Sequence, residues 1–494
     1  MKLAKGNVTV SLENHKGKVL LLLLGLTLVR GLIYSAVVPP WQAPDEPRHF
    51  EYVKLLYEKG RLVGYGDVMP SVEQEIIASM WRFDFWRYGH SDAPPPAQGE
   101  LPSSFSQIWA PGTRHELHQP PLAYLLYLVP LVLTAEQDAA LQLYALRLFS
   151  ILQGVAVVII ALQIANELFP DNSLLSLAIP TFVAFLPMHT FMTSTVNNDH
   201  LAEVFVCLLL LILVRGFKRG FSAWGLGAIV LVVVAGLLTK RTALVAVAIS
   251  LIGLPLYLWR RPVRRALNWR KVIPSLVVVI GITVLVAASV LYWSQSAAET
   301  NRIGSWQDWL VQFYLFLPSE RFPASLRYNF ISPQSIRIYQ HYLWTIFQTF
   351  WARFGWHNIP LDSWGYYLLI VVSLVALLGL GLFVIRARRR VIHLEWWQHR
   401  ILILFALSII MTGVLIIGRE VRNWDLNLSR GWIGWPSGRY LFPVIIPMGT
   451  FFVLGWSELA PKHYRVAWIG VLLGLLFVLD GYSLLFLIIP YFYR

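Results

Sequence analysis

Eleven apolar runs divide this chain, at 19–38, 141–168, 174–193, 200–214, 222–238, 242–259, 273–293, 364–385, 401–418, 441–457 and 467–489. About 20 apolar residues carry an α-helix across the hydrocarbon core of a bilayer, where only helices and closed barrels satisfy their own backbone groups. The pattern therefore predicts an all-α polytopic membrane protein. Only 14% of the 494 residues are charged and 56% are hydrophobic, against about 25% charged in a soluble domain. The net charge of +14 falls in short Lys/Arg clusters between apolar runs, the signature of cytoplasmic loops rather than of a nucleic-acid partner. Cys207 is the single cysteine, which excludes an intramolecular disulfide. The run after Lys18 is too long for a signal-peptide core and reads as an uncleaved first helix.

The basic clusters set the topology. They lie at Lys2/Lys5/Lys16/Lys18, Arg215/Lys218/Arg219, 260–271, 386–390 and Lys462/Arg465. All five share one side of the membrane only if a further apolar run, 121–135, does not cross. That run is expected to lie as an interfacial helix, in keeping with Tyr124 and Tyr127. With the N-terminus cytoplasmic, the long external segments are 39–139, 294–363 and 419–440. The first carries 13 acidic residues against seven Lys or Arg, and loops of that length tend to be functional. Within it, Pro47 suits a first helical position and Gly60 a stop. Phe50, Val53, Leu56 and Tyr57 form one apolar stripe, so this helix is expected on the membrane surface. Ala93 to Gly112 reads as irregular loop, and Trp306, Trp309, Tyr314, Tyr339 and Tyr342 in the second long loop suit an interfacial belt or stacking on sugar rings.

Five polar sets fall at external helix ends: Asp45-Glu46 with Arg48 and His49; His118 before Pro120 and Pro121; Asn197-Asn198-Asp199-His200; Lys240-Arg241; and Arg439-Tyr440. Carboxylates opposite cations at a lipid–water boundary suit group transfer from a lipid phosphate. A carboxylate deprotonates a hydroxyl or holds a divalent cation through hard oxygens, and Lys and Arg neutralise phosphate. Simpler roles compete. Asp45 or Glu46 would cap the helix beginning at Pro47, Asn-Asn-Asp is a common turn string, and Arg439 alone would snorkel to head groups. Asp199 and Glu203, four apart, share a helical face. Arg30 lies about 12 Å below the end of the first span and needs a partner, for which Glu203 and Asp480 are the candidates. Fixing helix packing and serving the site are equally open to it.

These motifs resemble the GT-C glycosyltransferase superfamily, integral membrane enzymes that use polyprenyl-phosphate-linked sugars. The resemblance rests on Asp45-Glu46 after the first span, His-x-Pro-Pro-Leu at 118–122, the Asn/Asp string at 197–199, Leu-Thr-Lys at 238–240 and Gly-Arg-Tyr-Leu-Phe-Pro at 438–443. Within the superfamily the chain is most similar to a group of bacterial predicted membrane proteins linked to cell-surface polysaccharide synthesis. The resemblance implies a GT-C-like bundle of about 11 transmembrane helices with interfacial helices in a large first external loop. It implies a catalytic module at 1–260 including external loop 39–139, and a variable transmembrane module at 261–494 with external loops 294–363 and 419–440. Its implied activity is inverting transfer of a sugar from a polyprenyl phosphate to an acceptor hydroxyl of a glycan, lipid or protein, at the extracytoplasmic face of the bacterial cytoplasmic membrane. Asp45 would be the base or a metal ligand, and Glu46 would hold the metal or orient the base. The one cofactor such a pair takes is a divalent ion, Mg, Mn or Ca. His118, Lys240 and Arg241 would face the donor phosphate, with Asn198, Asp199, Arg439 and Tyr440 completing the substrate site. Arg241 departs from the small residue some relatives place there. A ligase or polymerase acting on diphosphate-linked glycans and a flippase for lipid-linked sugars are the alternatives. The charged sets gather at one face rather than at mid-membrane, and no inverted repeat is visible, which weighs against transport.

Overall fold

The computed structural model describes residues 16–64, 66–91, 93–97, 99–109, 115–259, 333–422 and 436–494. The expected span at 273–293 lies outside the described residues, as do Trp306, Trp309 and Tyr314.

Eight described helices are long and apolar enough to cross a membrane, or nine if one bent pair is counted as a span. α1 (Lys16–Val37) is followed by a layer at one end of the bundle containing α2 (Glu46–Lys59), α3 (Pro70–Arg82) and α4 (Leu122–Leu133). The bundle continues with α5 (Ala139–Leu168), the bent pair α6 (Ser173–Phe185) and α7 (Pro187–Thr193), α8 (Asp199–Arg219), α9 (Ala223–Thr239) and α10 (Leu244–Leu258). After α11 (Pro333–Trp351) and a two-stranded hairpin, β1 (Arg353–Phe354) antiparallel to β2 (Ile359–Pro360), come α12 (Ser363–Arg388), α13 (Trp396–Arg422), α14 (Ile445–Leu459) and α15 (Arg465–Tyr482). A π turn carries the last helix on towards Tyr493.

Local chemistry explains the boundaries. Asp138, Asn172 and Ser222 each accept a backbone N–H three residues on, capping α5, α6 and α9. Gly60 ends α2 in the left-handed conformation, φ 59°, where a Cβ would be strained. The expected continuous span at 174–193 is corrected by Pro187, which bends the chain by 61°. Proline brings no N–H and crowds the preceding turn. The loosened Ala184 carbonyl is taken up by Arg30 and by the Thr190 hydroxyl. Arg30 also holds Asp480 through Nε at 2.8 Å, and the Tyr34 hydroxyl donates to the same carboxylate. Of the two candidate partners, Asp480 is therefore the one Arg30 uses, and the pair ties α1 to α15 inside the bundle.

This end layer has its own core of Trp41, Phe50, Ile76, Met80, Phe85, Trp109 and Tyr124 against Leu143 and Leu146 of α5. This corrects the expectation that α2 lies on the membrane surface. Its residues from Glu46 to Leu56 are all buried, on both its apolar and polar faces. The reason is that its polar side chains have protein partners: Lys54 donates to Gln142 at 3.0 Å, and His49 meets the Tyr124 hydroxyl at 2.9 Å. α4 has 12 residues, about 18 Å of rise, too short to span. α11 is a 19-residue helix within the segment expected as loop 294–363, with Tyr342 fully buried.

Without a hydrophobic drive between helices in lipid, close packing needs small residues. α12 and α14 meet backbone to backbone: a Cβ on Gly379 would sit 1.8 Å from the Gly455 carbonyl oxygen, and one on Gly455 2.0 Å from that of Ala376. Gly455→Val is therefore expected to lower stability by about 1–3 kcal/mol through overpacking, read as a lowered melting midpoint in detergent. Gly470→Ala, with open space around it, should leave the midpoint in place. Equal midpoints for Gly455→Val and wild type would show that these helices do not pack this way.

Candidate functional site

Asp45 sits at the entry to α2 with a left-handed backbone, φ 64° and ψ 1°. Its side chain makes no capping hydrogen bond, so the simple capping role is not the one adopted. Its carbonyl accepts the N–H groups of Arg48 and His49 instead. The carboxylate is thereby turned to Arg439, whose Nη2 donates to Oδ2 at 3.2 Å, with the Asp45 side chain 27% exposed and that of Arg439 9%. Burial, the largest single influence, pushes the Asp45 carboxyl up. Arg439, Arg48 and His49 together outweigh it and hold the group below the usual carboxylate range.

Glu46 points the other way. Its Oε1 accepts Arg147 Nε at 2.9 Å and the Val196 N–H at 3.2 Å, and its Oε2 accepts Arg147 Nη2 at 2.6 Å and the Trp41 N–H at 3.2 Å. Both side chains of the pair are wholly buried. Arg147 spends its remaining donors on the carbonyls of Ser35, Val38 and Pro39. Four donors leave Glu46 with the geometry of a structural anchor.

The second ion pair joins Asp199 to Lys240, 2.7 Å apart. Lys240 is reached by a chain reversal at the end of α9, where its own backbone is extended, and Asn198 donates to the Thr239 carbonyl at 3.4 Å. Asn197 adopts the turn role open to it, accepting the Asp199 N–H at 2.9 Å. Tyr440 links the two pairs. The charged groups of Lys240, Arg439 and Arg419 stand 5.8, 5.3 and 5.3 Å from its ring centre. Among the described residues, several buried polar atoms here have no hydrogen-bond partner: Nε and Nη1 of Arg439, Oδ2 of Asp199, Oδ1 of Asn198 and the Ser437 hydroxyl. Unmatched buried donors and acceptors are costly, and their concentration marks a place where a polar ligand would complete the bonding.

Other expected site residues are placed less centrally. Arg241 is half-buried in the turn after Lys240. Arg48 lies over the Trp109 ring at 4.5 Å. Glu203, on the same helix as Asp199, pairs with His189 at 2.9 Å, and Arg30 belongs to the Asp480 pair described above. The backbone of His118 ends a 3-10 turn, His115–His118, and its side chain lies outside the described residues. Arg439 is 8% exposed and paired, which corrects the snorkelling alternative.

Three participants were missed from sequence: Arg147, Arg419 and His357. His357 occupies the hairpin turn with φ 66°, where the charges of Arg439 and Asp45 both act on its ring. Arg147 carried a usable signal, because it is a charge inside an apolar run, the same argument that singled out Arg30. Among the described residues no three His, Cys, Asp or Glu side chains gather closely enough to hold a metal ion. Glu46 is saturated and Asp45 is paired to Arg439, so of the Asp-Glu motif only the Asp45 carboxylate is open to a divalent ion, which substrate phosphate and water would have to help hold.

A family model described as a predicted membrane protein (DUF2142) matches residues 28–448. The chain belongs to this family. No curated protein matches it. Among solved structures it is similar to the apo oligosaccharyltransferase of Archaeoglobus fulgidus, with TM-score 0.44 and 11% identity over 94% of this chain and 56% of that one. It is similar to ArnT of Cupriavidus metallidurans bound to undecaprenyl phosphate, with TM-score 0.41 and 16% identity over 90% and 61%. It is also similar to AglB of A. fulgidus in complex with an inhibitory peptide and a dolichol-phosphate, with TM-score 0.42 and 12% identity over 93% and 56%. The DUF2142 chain thus spans less than two thirds of each of these proteins.

Two outcomes test the site as described. Arg147→Met should destabilise by about 3–5 kcal/mol, because it strands the buried Glu46 charge; adding Glu46→Gln should recover part of the loss. A single variant melting with wild type would remove the anchor role. The second concerns pH. Burial, opposed by Asp45 and Asp199 and reinforced by Lys240 and Arg439, pushes the His49 imidazole down to about 3, whereas an unfolded histidine titrates near 6.5. Between these values the unfolded chain binds the extra proton, so stability falls as pH falls, approaching about 1.4 kcal/mol per pH unit for this residue. His49→Gln should melt with a shallower dependence between pH 7 and pH 5 than wild type. Parallel curves would contradict the assignment.

Proposed function

We propose that this protein is a glycosyltransferase that moves a sugar from a polyprenyl-phosphate donor to an acceptor hydroxyl, with inversion at the anomeric carbon. The observation that carries the reading is the Asp45–Arg439 pair. A partly exposed carboxylate there touches a buried guanidinium whose Nε and Nη1 have no partner among the described residues, beside Lys240 and Arg419 around one tyrosine ring. The motif resemblance to GT-C enzymes supports it independently.

In the proposed step the acceptor oxygen bonds to the anomeric carbon as the bond from that carbon to the phosphate oxygen breaks. The acceptor proton passes to Asp45, and polyprenyl phosphate departs against Arg439 and Lys240. Preorganised cations placed where charge develops usually contribute more to such catalysis than any other single effect. A carboxylate held at low pKa is a weak base. Phosphate engaging Arg439 would loosen its hold on Asp45 and raise the basicity when the donor is in place. No step runs through a metal ion.

Orientation follows from charge. Arg215, Lys218 and Arg219 gather on Glu167, and Arg386 and Arg465 on Glu458, all at the end of the bundle away from Asp45. By the positive-inside rule that end is cytoplasmic, so the site faces outward from a bacterial cytoplasmic membrane. The acceptor would be a glycan, lipid or protein carrying a free hydroxyl.

The test is transfer of radiolabelled sugar from a panel of synthetic polyprenyl-phosphate sugars by purified protein, with and without a chelator. Wild type should release label to an acceptor or to water. Asp45→Asn should lose at least about 100-fold of the rate, the lower range for general-base catalysis. Lys240→Ala should raise the Michaelis constant for the donor. Undiminished transfer by Asp45→Asn would overturn the mechanism, and loss of transfer with chelator would reinstate a metal.

A further inference from the structure

A cavity lies at the end of the bundle opposite the candidate site. It measures about 800 Å³ and is walled by the chain reversals after α5, α12 and α14, with Phe169, Leu175, Phe383, Arg386, Lys462 and Arg465 among its lining. Asp199 to Arg219 along α8 spans about 30 Å at 1.5 Å per residue, so the two ends are separated by about the thickness of a hydrocarbon core. We propose that this cavity binds the head group of an anionic phospholipid from the leaflet on that side. The inference does not rest on the glycosyltransferase reading.

Charge and shape both point there. Glu458, 5% exposed, accepts Arg386 Nη1 on Oε2 and pairs with Arg465 Nη2 through Oε1, each at 2.7 Å. One buried carboxylate therefore holds two guanidinium groups in fixed positions on the cavity wall. Arg386 donates to Glu458 only through Nη1, so its Nε and Nη2 point to no group of that clamp. Exposed Lys462 adds a third cation to the lining. Against them stand the carboxylates of Glu458 and Asp171, leaving a surplus of one positive charge, which a phosphodiester with one negative charge would complete. Leu175, Phe383 and Leu454 add apolar wall beside the polar Asn172, His393, Gln398 and Ser457, a mixture that suits the glycerol and first acyl carbons of a lipid better than a free phosphate. Basic pockets between transmembrane helices are the known physical form of such sites.

Purified full-length protein in detergent would be titrated with phosphatidylglycerol, phosphatidylcholine and glycerol phosphate, with binding read by native mass spectrometry. Phosphatidylglycerol should bind at least tenfold more tightly than phosphatidylcholine, and glycerol phosphate should not compete. Arg386→Gln and Lys462→Gln should each weaken phosphatidylglycerol about fivefold or more. Lys462 lies outside the Glu458 clamp, so its variant keeps the fold. Arg388→Gln, exposed at the same end but outside the cavity lining, should change nothing. Equal affinity for the two lipids, or an equal loss in Arg388→Gln, would overturn the site. Competition by glycerol phosphate would show a soluble phosphoester pocket instead and overturn the lipid assignment.

Discussion

The site end of this molecule is organised by one ion pair removed entirely from water. Arg147 comes from the first third of an apolar helix, Ala139–Leu168, and cannot be left alone there. Its five donors go to two carboxylate oxygens of Glu46 and to the carbonyls of Ser35, Val38 and Pro39. The Ser35 carbonyl is one of the loose ends that the last turn of α1 must place somewhere, and those of Val38 and Pro39 follow directly on that helix end. Glu46 in return collects the N–H groups of Trp41 and Val196. One pair thereby fixes the exit of the first span, the entry of α2 and the loop before Asp199. Burying such a pair adds little net stability compared with an apolar replacement, and losing one partner is severe. Its value is in register: the segments that carry Asp45 and Asp199 are both referred to it.

That anchoring explains how Asp45 tolerates its backbone. A non-glycine residue in the left-handed region costs about 1–2 kcal/mol, and such strain persists only where the surroundings determine it. Here Glu46 is locked on one side, and the Arg48 and His49 N–H groups close on the Asp45 carbonyl on the other. The left-handed turn sends adjacent carboxylates to opposite destinations, one to the anchor and one to the open side of the layer. An Asp-Glu dipeptide read as a twin pair is in three dimensions a division of labour.

The helices were legible because hydrophobic length is a local property, and so were the site's polar sets, because charge beside an apolar run is local too. Pairing was not. A mid-membrane charge narrowed the search for Arg30, whose partner Asp480 was one of two candidates, but Asp45 meets Arg439 across 394 positions, and no spacing rule reaches that far. The surface placement of α2 failed for a related reason. A stripe of Phe50, Val53 and Leu56 says that one face is buried, whereas Lys54 and His49 bury the other by finding Gln142 and Tyr124. The break at Pro187 was readable in principle, yet an apolar run of span length outweighed one proline. The site also draws on both halves of the chain, since Arg419, Arg439 and Tyr440 come from beyond residue 260.

Charge balance links this geometry to the proposed chemistry. The ion pairs and the Tyr440 ring connect three cations, Lys240, Arg419 and Arg439, with two carboxylates, Asp45 and Asp199. The resting surplus is one positive charge, and a sugar phosphodiester brings one negative charge. As the sugar leaves, the phosphate approaches a dianion, and the acceptor proton arriving on Asp45 removes one of the site's own negative charges. Surplus and leaving group would then rise together, from one to about two. In a region of low effective dielectric, where unbalanced charge is expensive, a base that shares its guanidinium with the leaving phosphate keeps the site near neutrality through the step. In the proposed step the Asp45–Arg439 contact would couple the two events, which separate base and phosphate pockets would not.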